Sequence, residues 1–136
     1  MFGNEFANIK KSKKCDYITV FELEEIFQNV KNHDADIVIP FKQKLGVLLR
    51  NDVLAIDGFG SNDAKYDEFF NLNFQKFFDQ KPSNLNLILI SNLNGDNLRK
   101  KIGEKNFSRI IEKLKVIKFL DIDFRKRNLD KINYLI

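Results

Sequence analysis

Residues 53–60 read Val-Leu-Ala-Ile-Asp-Gly-Phe-Gly, an unbroken apolar run that stops at a carboxylate and two glycines. A strand buried on both faces needs such a run, and the glycines allow the sharp turn after it. Residues 85–90 repeat the design, with Ser91 and Asn92 following the apolar stretch. Between these two runs Tyr66, Phe69 or Phe70, Phe74 and Phe77 recur at three- and four-residue steps, a buried helical stripe. Strand, helix, strand in that order predicts a mostly parallel α/β sheet. Functional groups in such sheets gather beyond the carboxyl ends of the strands, which directs attention to Asp57 and Asn92.

The flanking sequence extends the alternation. Residues 17–20 read as a strand, and Thr19 followed by Glu22 has the spacing of a capping box. Leu23, Ile26, Phe27 and Val30 then fall on one face of a helix over 21–30. Residues 37–39 read as a strand fragment cut by Pro40, with a short amphipathic helix after it over 41–50. Further helices are expected from about Asp96 to Gly103 and over 105–114, the latter turning Phe107, Ile110, Ile111 and Leu114 inward. A last strand is expected over 116–120.

The chain has 136 residues, 43% apolar and 31% charged, which suits one folded domain and not two. No apolar run approaches the roughly 20 residues of a membrane span. Nothing at the amino terminus resembles an export signal, and the one cysteine, Cys15, reads as a small buried hydrophobe. The expected setting is therefore reducing and cytoplasmic. His33 has no second histidine or cysteine partner in a metal-binding pattern, so metal ligation there is not expected.

The net charge of +4 is unevenly spread. Residues 15–96 carry a net −6, whereas residues 97–136 carry a net +7. Arg99, Lys100, Lys101 and Lys105 are thus candidates for salt-dependent contact with nucleic-acid phosphates, and equally an ordinary solvated face. The phenylalanines read as core. Phe59, between glycines at a strand end, is the one aromatic whose exposure would suit base stacking.

Three segments together resemble the bacterial replicative helicase loaders, the DnaC and IstB-like proteins of the AAA+ ATPase superfamily. They are VLAIDGFGSNDAKYDEFF, LILISNLNGDNLRKKIGEKNFSRI and VIKFLDIDFR. The upstream FANIKKSKKCDYITVFELEEIF is similar to the end of that family's first core helix, its second strand and the helix after it. The resemblance implies a partial three-layer P-loop NTPase fold with a mostly parallel sheet. It implies one AAA+-like domain over 1–136, truncated before the first core helix and lacking the first central strand.

Carried over by position, Asp57 is similar to the Walker B aspartate that holds magnesium, a hard-oxygen ligand at a strand end. Asn92 resembles the sensor-1 residue that orients attacking water, Arg109 the arginine finger, and Arg125 a basic position near the family's end. Read locally, the same residues are also a turn aspartate, a helix-capping asparagine and a solvated arginine. ATP and magnesium are the cofactors of the intact family. Two departures weigh against their use here. No GxxxxGK[ST] motif occurs in the sequence, and Gly58 stands where the second Walker B acid should activate water.

The reading is therefore a degenerate or truncated loader-like protein related to DNA replication, without ATP hydrolysis. Its alternatives are a non-catalytic protein that binds an AAA+ or helicase partner, and a remnant without retained function. Expected partners are a replicative helicase or AAA+ subunit, single-stranded DNA, and a second copy of the chain; no membrane is expected. The gap left by a central strand should be closed by strands moving together, by residues 35–39 intruding or by a partner, or else leave the chain only marginally folded.

Overall fold

The computed structural model describes residues 13–114. The expected strand over 116–120 and Arg125 lie outside the described residues. Among the described residues three parallel strands form the sheet: β1 (Cys15–Thr19), β2 (Val53–Asp57) and β3 (Asn86–Leu89), in the order β1-β2-β3. Tyr17 pairs with Ala55 and Ala55 with Ile88, while Ile18, Ile56 and Leu89 share the next rung. Five helices connect or follow them: α1 (Val20–Asn29), α2 (Ala35–Leu49), α3 (Asp67–Gln80), α4 (Gly95–Ile102) and α5 (Glu104–Lys113). A short 3-10 turn, Ala64–Tyr66, leads into α3. The expected α/β class and parallel sheet are thus present.

Local chemistry explains most boundaries. Thr19 accepts the Glu22 N–H and Glu22 reaches back to the Thr19 N–H, so the capping box forms and α1 begins directly off β1. Asn94 caps α4 by accepting the Asn97 N–H at 2.8 Å. Gly103, at φ +87°, then swings the chain from α4 into α5.

One segment departs from expectation. Residues 37–39 are not a strand but part of the continuous helix α2, which runs through Pro40. Asp34 caps that helix by accepting the Asp36 N–H at 3.0 Å, so the turn residues that end α1 also start α2. Proline removes one helical hydrogen bond. Here Pro40 and Asp36 are both exposed, so the freed carbonyl faces solvent. Residues 35–39 therefore do not enter the sheet.

The core follows from the aromatic stripe. Phe70, Phe74, Phe77 and Phe78 of α3 are buried against Phe27 of α1 and against Leu54, Ile56 and Leu87 of the sheet. Phe70 and Phe74 lie nearly parallel at 13°, and the other ring pairs are tilted or edge-on, with Phe59 and Phe74 only 4.8 Å apart. All the fully buried strand residues come from one face. The opposite face, carrying Tyr17, Ala55 and Ile88, has no layer over it among the described residues, which thus supply two of the three layers expected. Cys15 lies on that face and is exposed, not buried as expected. Ile111 is likewise half exposed, because the inward face of α5 is taken by Asn106, Phe107 and Ile110.

Candidate functional site

The carboxyl end of the sheet carries the strand-end residues. Asp57 closes β2 on the open face, half-buried. One carboxylate oxygen accepts the Gly58 N–H at 2.8 Å, and the other accepts the phenolic hydroxyl of Tyr17 from the neighbouring strand. That hydrogen bond holds the Tyr17 proton and raises its pKa above the usual phenol value; desolvation and the charges of Asp57 and Glu22 act the same way. Tyr17 was not legible as a partner of Asp57 in the sequence, because the contact exists only once β1 and β2 are in register.

The loop after Asp57 is shaped by glycine. Gly58 has φ +72° and Gly60 φ +91°, both left-handed. A Cβ at Gly60 would lie 2.8 Å from Leu93 Cδ1, so the β2 loop packs tightly on the β3 loop. The Phe59 N–H donates to the Ile90 carbonyl at 2.8 Å, continuing the sheet past its last rung. Phe59 itself is fully buried against Phe70 and Phe74. It offers no surface for a base and belongs to the core.

Asn92 lies in the loop after β3 and is exposed. Arg109 sits on α5 and is ion-paired with Asp79 of α3, which ties the two helices together. The guanidinium that resembles a finger is therefore engaged within its own chain.

The basic candidates divide. Lys101 donates to Asp67 at 2.7 Å and to the Asn62 carbonyl at 2.7 Å, and its side chain is 18% exposed. Asn62 completes the knot by donating to Asp67 at 3.0 Å. Arg99 pairs with Glu104 at 3.5 Å and lies over the Phe107 ring. Lys100 and Lys105 are exposed and make no ion pair with the described residues. Two of the four cations thus serve the fold.

Beside the Lys101 knot, Glu24 of α1 is buried, and among the described residues nothing donates to its Oε1. Burial raises its pKa, as do the charges of Asp63 and Asp67, against a lowering by Lys101. Asp63 and Asp67 both have roles in the local structure. Asp63 caps the 3-10 turn and Asp67 is held by Lys101 and Asn62.

These residues do not fit a magnesium–nucleotide centre as they stand. Asp57 is a single carboxylate with both oxygens already accepting hydrogen bonds. Among the described residues no three metal-ligating side chains converge. His33 is exposed in the turn before α2.

Comparison with known proteins bears on the fold. No protein-family model and no curated protein matches the chain. A solved structure described as a DNA replication initiation factor is similar, with a TM-score of 0.56 and 19% identity over 88% of this chain. The chain spans 34% of the length of that structure. At that identity the likeness extends to the fold: a partial parallel α/β sheet of the kind found in a replication initiation factor. No helix among the described residues is long and apolar enough to cross a membrane.

Proposed function

We propose that this chain is a helicase-loader-like, AAA+-like unit of DNA replication that works by association and does not hydrolyse ATP. Gly58 carries the reading. The residue after the strand-end aspartate is a glycine whose φ of +72° disfavours any side chain, so that position supplies no carboxylate to polarise water. The similarity of the fold to a replication initiation factor supports the replication context. Asp57 in the magnesium position, Asn92 in the sensor position and Arg109 as a finger are, on this reading, inherited positions with altered roles. Asp57 orders the β1–β2 pairing through Tyr17, and Arg109 fastens α5 to α3.

Lys100 and Lys105 would add a weak, salt-dependent attraction to single-stranded DNA, of the sequence-independent kind that lysines give to phosphates. The test is to mix the full chain with the replicative helicase of its own source and follow the mass of the species by ultracentrifugation, and separately to follow phosphate release from ATP by the chain alone, since the helicase is itself an ATPase. The expected result is a complex in the first measurement and no phosphate release in the second, with or without single-stranded DNA. Turnover by the chain alone, or no complex, would contradict the reading.

A further inference from the structure

A groove of about 520 Å³ follows the outer edge of β1. Asp16, Tyr17 and Ile18 all line it. Neighbouring strand residues point to opposite faces, so three in a row share one groove only if it runs along the strand's edge. α1 contributes Glu22, Glu25 and Ile26, and α2 closes the far side with Phe41, Lys44 and Val47. The volume falls within the range of ordinary ligand clefts, roughly 300–1,000 Å³.

The groove offers acceptors and few donors. The Lys14 carbonyl accepts the Val53 N–H at 3.1 Å, which fixes Lys14, Asp16 and Ile18 as the residues whose backbone groups face β2. Cys15, Tyr17 and Thr19 therefore turn theirs to the outer edge. Two of those outward N–H groups are already covered: Asp16 accepts the one on Tyr17 at 2.8 Å, and Glu22 accepts the one on Thr19 at 3.3 Å. Among the described residues, what is left along the groove is backbone carbonyl oxygen, the carboxylates of Asp16, Glu22 and Glu25, the Gln43 amide and the Cys15 N–H, so acceptors outnumber donors. An added strand needs donors and acceptors in alternation, so this edge is poor at strand addition. A cationic side chain rich in donors suits it far better. Lys44, the one cation of the lining among the described residues, already rests 4.6 Å from the centre of the Phe41 ring.

We propose that this groove docks an extended segment of a partner protein through an arginine or lysine side chain. The cation meets Asp16, Glu22 and Glu25, and an apolar neighbour rests on Phe41 and Val47. The inference stands on the edge of β1 and is independent of the replication reading.

The probe is a synthetic peptide of alternating leucine and arginine, LRLRLR with blocked ends, against its acidic counterpart LELELE. It is titrated into isotope-labelled full-length chain and followed by amide chemical shifts. Shifts confined to β1, α1 and α2 are expected with the basic peptide alone. The double variant Glu22→Gln with Glu25→Gln keeps the capping box, because glutamine serves at that helical position. It should weaken binding about tenfold at roughly 0.05 M salt, with the difference largely gone near 1 M. Glu112→Gln on α5 should leave binding unchanged. Equal binding by the double variant, shifts centred elsewhere, or no shifts would overturn the proposal. So would contacts from residues 115–136 to α2 seen before any peptide is added, since the occupant would then be the chain itself.

Discussion

On one face of the sheet Ile18, Leu54, Ile56 and Leu87 are each less than a tenth exposed and lie against the phenylalanines of α1 and α3. On the other, Tyr17 and Ile88 flank Ala55 on a shared rung, and each is half exposed. The two faces are built from similar residues, and what separates them is where the helices lie. Parallel sheets are ordinarily covered on both sides, so among the described residues the second face is the less stabilised one. Asp57 belongs to that face. This is why its carboxylate meets Tyr17, a residue of the same face, and not a loop across a closed site.

The contrast is most easily broken by truncation. Phe74→Ala should lower the unfolding free energy by about 3–5 kcal/mol, whereas Ile88→Ala should cost under about 1 kcal/mol. Urea titrations of the two variants compare the faces directly. Similar losses would mean that the Ile88 face is buried in solution.

Gly60→Ala should cost about 1–3 kcal/mol, because alanine would have to hold φ +91° and its methyl group meets Leu93. Gly95→Ala, with open space around it at the start of α4, is the matched control and should be neutral or slightly stabilising. Equal Tm values for the two variants would show that the β2 and β3 loops do not interlock.

Glu24 sharpens the comparison from within the closed half. Its folded-state pKa is raised, chiefly by burial, so the native state holds a proton that the unfolded chain releases more readily. Stability from this group is fully present below the ordinary glutamate value and is lost as pH rises through the higher folded-state value. Glu24→Gln should therefore gain on the order of 1 kcal/mol at neutral pH and flatten that part of the pH profile. A loss of stability at pH 7 would show that the Glu24 carboxylate is satisfied. On the open face, Tyr17→Phe should leave stability essentially unchanged, since the Tyr17 hydroxyl is solvent-accessible. Chemical denaturation of that variant checks it, and a clear shift of the midpoint to lower denaturant would place the Tyr17–Asp57 contact in a buried setting.

Much of this was legible in the sequence because it is local. The capping box of Thr19 and Glu22, the phenylalanine stripe of α3 and the apolar runs ending at Asp57 and Ile90 all declare themselves within a dozen residues. Pro40 misled because its cost depends on what its partner carbonyl faces, and the exposure of Asp36 is a tertiary fact. Cys15 misled because composition does not say which face a helix will cover. The candidate site was half legible. Asp57 and Asn92 follow from strand ends, but the contacts that occupy Asp57, Arg109 and Lys101 span some 30 to 40 residues. Such pairings depend on register and helix docking, and no pattern in one sequence carries them.

The central claim of the proposed function is that the aspartate at the end of β2 serves no nucleotide site. Isothermal titration of the full chain with ATP, with and without magnesium, tests it most directly. The account predicts no magnesium-dependent binding up to about 1 mM ATP and no change in Asp57→Ala. Micromolar, magnesium-dependent binding that disappears in Asp57→Ala would contradict it.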